Sequence, residues 1–119
     1  MAVRALEDQL AVLAEASVGA GELAFGSRAA LAAWAGTNRS QITRAAQGQE
    51  LGGEAGWRLS ALAAVVTALL AVYEPAAVGG WLHGTNPHLG DRRPVDVLAA
   101  GDVAAVMAAV QAAHTGVYA

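Results

Sequence analysis

The first pattern along the chain is a stripe of apolar residues at helical spacing. Because residues three and four positions apart share one face of a helix, the stripe predicts a helix over residues 3–15. Its members are Leu6, Leu10, Val12 and Leu13. The glycine-containing stretch 17–21 then predicts a break, and a short apolar piece at 22–25 follows it.

Two short helices with a glycine turn between them come next. Ser27 is a good N-cap for a helix that carries Leu31 and Trp34 on one face, and the stretch Gly36-Thr37-Asn38 ends that helix. A third helix is expected from Asn38 or Arg39 to Gln47, with Ile42 inward, before Gly48 stops it. This order predicts a helix-turn-helix.

The second half of the chain predicts a central helix followed by short ones. Residues 57–73 are apolar nearly all round, which is typical of a buried helix, and their most apolar part is shorter than the roughly 20 residues that cross a bilayer. Pro75 and Pro94 are well placed to begin short helices that end near His83 and Leu98. Between them, residues 88–93 predict an ordered, exposed loop with little regular structure. A last helix is expected after Asp102, with one apolar face formed by Val103, Val106, Met107 and Val110.

The composition supports an all-α fold. The chain has 119 residues, 55% of them apolar, which is enough for the core of one compact domain or of two tightly packed subdomains. Alanine dominates and β-branched residues are scattered, which favours close-packed helices. We place the N-terminal helices with the helix-turn-helix in residues 1–56, and the central helix with a C-terminal domain in 57–119. Large aromatics usually pack, so four are expected in the core: Trp34, Trp57, Tyr73 and Trp81.

Charge and cysteine content narrow the function classes. There is no cysteine, which excludes disulfides and thiolate chemistry, and the charges in the first helix do not fit a signal peptide, so a cytoplasmic protein is expected. No nucleophile motif, phosphate-binding loop or helical pair of metal-ligating histidines is present, so we expect no enzyme, no cofactor and no metal site.

The net charge of −3 argues against a strongly basic nucleic-acid binder, yet the arginines are concentrated in the middle third. Arginine and glutamine can pair with base edges, and serine and threonine can bind phosphates. The predicted DNA-binding set is therefore Arg39, Ser40, Gln41, Thr43, Arg44 and Gln47. The alternative is that this face is only solvated or contacts a protein.

The C-terminal part carries spaced residues that resemble a known pattern. They are Trp81, Leu82, Asn86, Pro87, Leu89, Gly90, Arg93, Pro94, Asp96, Leu98, Gly101 and Gly116. This region resembles the toxin-binding domain of Xre/MbcA/ParS antitoxins, and the helix-turn-helix lies where such antitoxins have theirs. The resemblance implies an antitoxin with an N-terminal Xre-like helical bundle and a small helical toxin-binding domain.

The resemblance also implies a partner, a RES-domain toxin that consumes NAD and whose active-site entrance the antitoxin blocks with its C-terminal region. The toxin-binding set expected here is Trp81, Asn86, His88, Arg92, Arg93, His114, Gly116, Val117, Tyr118 and Ala119. Within it, Tyr118 could fill a pocket and the Ala119 carboxylate could pair with an arginine. The alternatives without a toxin contact are a core role for Trp81, a charged loop that is only solvated, an interaction of His114 with the helix dipole, and a frayed C-terminal tail.

A second function class remains open, a DNA-binding repressor of the Xre class whose C-terminal half only dimerises. Both functions can coexist, because such antitoxins often bind their own promoter. The repeated C-terminal matches favour toxin binding, since a simple repressor has no need of them. The narrow apolar face of the last helix also predicts a homodimer.

Overall fold

The computed structural model describes residues 2–116, with side chains for residues 8, 9 and 11–116. This part of the chain forms seven α-helices and one 3₁₀ helix. They are α1 (Ala2–Phe25), α2 (Arg28–Ala35), α3 (Arg39–Ala46), α4 (Gly53–Leu70), α5 (Pro75–His83), the 3₁₀ helix (Pro87–Leu89), α6 (Pro94–Ala99) and α7 (Val103–Thr115). The all-α class predicted from the sequence is confirmed.

The chain divides into two compact units, Met1–Ala63 and Ala64–Ala119. The division lies inside α4, later than the boundary predicted after residue 56. The first unit holds α1, α2 and α3, which all pack against one another, and the first part of α4. Its buried side chains include Val18, Leu31, Ile42, Leu59 and Leu62.

The predicted break at residues 17–21 is wrong, because α1 continues through the glycines of this stretch. Gly21 lies against α2 so closely that a Cβ placed on it would be 2.5 Å from a Leu31 methyl carbon. Leu31 is fully buried there. The glycine therefore permits two helices to approach closely, and this packing outweighs the low helix propensity of glycine.

The predicted apolar stripe of α1 does not all face inward. Val12 is 63% exposed and Leu13 is 61% exposed, whereas Val18 and Ala24 are buried. Trp57 also corrects a prediction, since it is 43% exposed and is not a core residue. Trp34 is half-buried, with its ring 5.3 Å from that of Phe25.

In the second unit, α6 packs against α5 and α7, and α7 packs against the 3₁₀ helix. Pro75 and Pro94 stand at the first positions of α5 and α6, as the sequence predicted. The apolar face of α7 is confirmed in part, because Val106 and Val110 are buried with Ala109 whereas Val103 and Met107 are only half-buried. Further buried side chains are Val78, Leu82, Leu89, Val95, Val97 and Leu98.

The stretch between α5 and α6 is more regular than the sequence predicted. Pro87–Leu89 forms one turn of 3₁₀ helix, and Asn86 pairs with Arg92 in an isolated antiparallel bridge. Leu89 is buried, at 2% exposure, so this stretch contributes to the core. Of the helices searched, within the described residues, none has the length and apolar character needed to span a membrane.

Candidate functional site

The helix-turn-helix has the local geometry that its sequence predicted. The Ser27 hydroxyl accepts a hydrogen bond from the Ala30 N–H and begins α2, which ends at Gly36 in the left-handed conformation, φ 80°. The Asn38 side chain accepts from the Gln41 N–H at 3.0 Å and begins α3. A tight turn between two helices requires a residue that can end the first helix, here a glycine, and a side chain that caps the start of the second, here an asparagine.

The polar face of α3 is presented to solvent. Arg39, Ser40, Arg44 and Gln47 are exposed, and Gln41 and Thr43 are partly so. On the opposite side, Ile42 and Ala45 are buried and fix the helix to the first unit. Five of the six predicted DNA-binding residues, all but Gln41, line one open, shallow depression.

The arginines of the helix-turn-helix differ in whether an acidic side chain pairs with them. Arg28 forms an ion pair with Glu22 at 3.1 Å, and its Nη1 donates to Thr43 Oγ1 at 3.5 Å. Arg39 and Arg44 have no acidic partner within 4 Å among the side chains that the structure describes. The exposed face of α3 therefore carries two arginines with guanidinium groups available to an anion.

The predicted toxin-binding residues fall at several places in the second unit. Trp81, in α5, and Asn86 are half-buried, whereas the side chains of His88, Arg92 and Arg93 are exposed. His114 and Gly116 are exposed at the end of α7. Three predicted residues, Val117, Tyr118 and Ala119, lie outside the described part of the chain.

Asn86 has a structural role that holds the loop in one conformation. Its side-chain oxygen accepts from the His88 N–H at 2.9 Å and caps the 3₁₀ helix. Its backbone carbonyl accepts from the Leu89 and Asp91 N–H groups, and its own N–H donates to the Arg92 carbonyl. These bonds close residues 86–92 into a defined loop, which we name the Asn86 loop.

The two neighbouring arginines are held differently. Arg92 Nε donates to the Leu89 carbonyl at 2.8 Å, which orients its guanidinium group on the Asn86 loop. Arg93 instead donates two hydrogen bonds, of 2.8 and 2.9 Å, to the Asp96 carboxylate at the start of α6. Those hydrogen bonds lower the pKa of Asp96, helped by the charges of Arg93 and His83, and they raise the pKa of Arg93. Arg93 thus has a partner inside the chain, which leaves it less available to another protein than Arg92.

The end of α7 has a simple cap geometry. Gly116 adopts the left-handed conformation, φ 73°, and its N–H donates to carbonyl groups of the last turn. His114 is in that last turn, where a positive charge interacts favourably with the helix dipole. The dipole explanation therefore fits His114 without any partner protein.

Sequence reasoning did not find the groove of the first unit. It lies between α1, the segment before α4 and the start of α4, and both Leu13 and Trp57 contribute to it. The signal in the sequence is the apolar stripe of α1, because it includes Val12 and Leu13, which stay exposed in the folded first unit. No group of three or more histidine and acidic side chains that could hold a metal ion occurs among the described residues.

Comparison with known proteins rests on structure. No family model matches the sequence, and no match is found among curated proteins. The chain is similar to one in the crystal structure of the M. tuberculosis MbcT-MbcA toxin-antitoxin complex, with a TM-score of 0.73 and 23% sequence identity. The match covers 88% of this chain and 96% of that chain. The resemblance predicted from the sequence is thus confirmed at the level of the fold, and this chain has the all-α fold of a chain from a toxin-antitoxin complex.

Proposed function

We propose that the protein is an antitoxin, which binds a cognate toxin and silences it without chemistry of its own. The observation that carries this proposal is the fold match, because it extends over nearly the whole of both chains. Two independent features agree with it. The spaced C-terminal residues resemble the toxin-binding domain of Xre/MbcA/ParS antitoxins, and an ordered loop in that region exposes His88 and Arg92.

The partner that we propose is a RES-domain toxin that consumes NAD. The antitoxin blocks the entrance of the toxin's active site with its C-terminal region, in the cytoplasm. Residues 117–119 supply the inserting tail and the Asn86 loop supplies a second contact. The hydrogen bonds of Asn86 support this second role, because a loop that is already ordered loses less conformational entropy when it binds.

We rank the proposed contact residues by the accessibility of their polar groups. Arg92 and His88, which are exposed, come first together with the proposed tail. Asn86 acts by holding the loop, and the ion pair of Arg93 with Asp96 gives it a smaller part. Trp81 is half-buried and comes last.

The test is co-expression of the full chain with the toxin encoded by the adjacent reading frame, while growth and cellular NAD are followed. A chain that lacks residues 115–119 should still bind the toxin and fail to protect. Arg92→Ala should weaken binding, whereas the matched control Arg39→Ala, which removes an exposed arginine of the first unit, should retain both binding and protection. If the full chain neither binds nor protects, the antitoxin proposal is wrong.

A second proposed function is repression of a promoter, by DNA binding through α3. The exposed Arg39 and Arg44 favour it. Two phosphate contacts are few, so we expect weak binding, or binding only with the toxin present. In this function the second unit dimerises, which gives two helix-turn-helix motifs for two half-sites.

The DNA function is tested with its own variants. Arg39→Ala and Arg44→Ala should each lower affinity for promoter DNA and reduce the slope of log K against log salt by about 1. Arg92→Ala should leave DNA binding unchanged. Unchanged binding in the α3 variants would place any DNA interface elsewhere on the chain.

A further inference from the structure

The groove of the first unit has a volume of about 350 Å³. Its walls are apolar for most of their extent, formed by Leu13, Leu51, Trp57 and Leu59. Leu59 is buried, but Leu13 and Trp57 remain 61% and 43% exposed, so two large apolar side chains at this place are only partly covered by the protein. The volume falls at the lower end of the range of small-molecule sites, roughly 300–1,000 Å³.

The groove is shaped by a close approach of the chain to α4. A Cβ placed on Gly56 would overlap the Leu51 carbonyl oxygen, so only glycine lets the preceding segment lie against this turn of α4. That approach places Leu51 and Glu50 in the wall. The groove is therefore part of the folded first unit and does not depend on a long flexible side chain to form it.

The charge at the groove is negative. Glu50 lines it, and no cationic group lies within 4 Å of this carboxylate among the described side chains. Among the described residues that line the groove there is no arginine or histidine. An apolar groove with a carboxylate and a partly exposed tryptophan ring matches a ligand that has both an apolar body and a positive charge.

We propose that this groove binds a small organic cation with an aromatic or alkyl body. The body lies against Leu13, Leu51 and Leu59, and the cationic group pairs with Glu50 beside the ring of Trp57. A second copy of the chain is a poor occupant, because a symmetric contact at this groove would bring the Glu50 carboxylates of the two copies to one interface. The proposal is independent of the antitoxin and DNA-binding functions.

The test uses three probes that share one body and differ in charge. They are phenethylammonium, the neutral 2-phenylethanol and the anionic 3-phenylpropanoate. Each is titrated into the full chain at low salt while the indole N–H signal of Trp57 is followed by NMR, assigned by its loss in Trp57→Phe. The ammonium compound should bind about fivefold tighter than the alcohol, as expected for one partly solvated charge pair, and the carboxylate should bind least.

Variants identify the group responsible. Glu50→Gln should abolish the preference for the cation and leave binding of the alcohol unchanged. The matched control Glu74→Gln, which removes an exposed carboxylate in the second unit, should leave all three affinities unchanged. Equal binding of the alcohol and the ammonium compound, a preference that survives in Glu50→Gln, or no saturable binding would each overturn the proposal.

Discussion

Arg58 reaches from α4 to the end of α2, where its Nη1 donates a hydrogen bond of 2.7 Å to the backbone carbonyl of Trp34. The last carbonyls of a helix have no partner within that helix, and this bond gives one of them a side-chain donor. The same guanidinium group pairs with Glu54 at 2.8 Å. Arg58 therefore joins the first helix of the helix-turn-helix to the start of α4.

Arg58→Met should destabilise the protein. The apolar stem is retained, so the expected loss of about 1–3 kcal/mol in the free energy of unfolding reflects the loss of the hydrogen bond from Arg58 to the Trp34 carbonyl. Unfolding in urea measures it. The control Glu54→Gln keeps the bond to Trp34 and should cost less than about 1 kcal/mol, since an exposed ion pair contributes little. Equal losses in the two variants would show that the bond to Trp34 does not matter.

Two glycines of α1 should respond in opposite directions to substitution. A Cβ at Gly19 meets nothing within 4 Å, so Gly19→Ala should stabilise the protein by about 0.5–1 kcal/mol through helix propensity. A Cβ at Gly21 would overlap Leu31, so Gly21→Ala should destabilise it, by about 1–3 kcal/mol. Thermal unfolding of the two variants, side by side, measures the difference. Stabilisation by both would mean that Leu31 can move aside.

Asp91 is the one residue other than glycine with a positive φ in the described chain, at 61°, and it follows Gly90 at 64°. A β-branched residue tolerates this conformation poorly, so Asp91→Val should cost about 1–2 kcal/mol although the side chain is exposed. Asp91→Asn should be tolerated, because asparagine adopts the left-handed conformation readily. If the loop binds the toxin, Asp91→Val should also weaken that binding, measured by calorimetry.

The ion pair of Arg93 with Asp96 predicts a pH dependence. Because the folded state lowers the pKa of Asp96, its contribution to stability is present above the unfolded pKa of about 3.9 and is lost as the pH falls through the lower folded value. NMR titration of the Asp96 carboxyl should give a pKa below the ordinary range. In Arg93→Gln it should rise toward that range, whereas Arg92→Gln should leave it unchanged.

Local chemistry made the ends of most helices predictable from the sequence. Ser27 begins α2, Gly36 ends it, and Asn38 begins α3. Serine and asparagine side chains accept hydrogen bonds from the first N–H groups of a helix, and glycine adopts the left-handed conformation that ends one, so these effects depend only on nearby residues. Pro75 and Pro94 begin helices for a similar reason. These features need no knowledge of the rest of the fold.

The errors arose where distant parts of the chain decide the outcome. The break predicted at residues 17–21 is wrong because Gly21 serves a contact with Leu31, and nothing in the nearby sequence reveals that partner. Trp57 was expected in the core because large aromatics usually pack, but it lies at the rim of a groove. The regular turn at 87–89 depends on the burial of Leu89 and on the hydrogen bonds of Asn86.

In the candidate sites too, local features could be predicted from the sequence and contacts between distant residues could not. The polar face of α3 follows from helical spacing alone, and the structure places five of its six predicted residues around one depression. The predicted toxin-binding residues came from a resemblance, which indicates which positions make contact but not which hydrogen bonds their side chains form. The structure adds that Asn86 holds a loop and that Arg93 already has an acidic partner.

The division of the two units inside α4 limits how this protein can change by insertion or deletion. Leu59 and Leu62 are buried in the part of the helix that belongs to the first unit, and Val65, Val66 and Leu69 in the part that belongs to the second. One codon gained or lost inside either part would rotate the later positions of that part by about 100° relative to its earlier ones. Within each unit, a residue gained or lost between two buried positions, such as Leu59 and Leu62 or Val66 and Leu69, would therefore turn one of them out of that unit's own core.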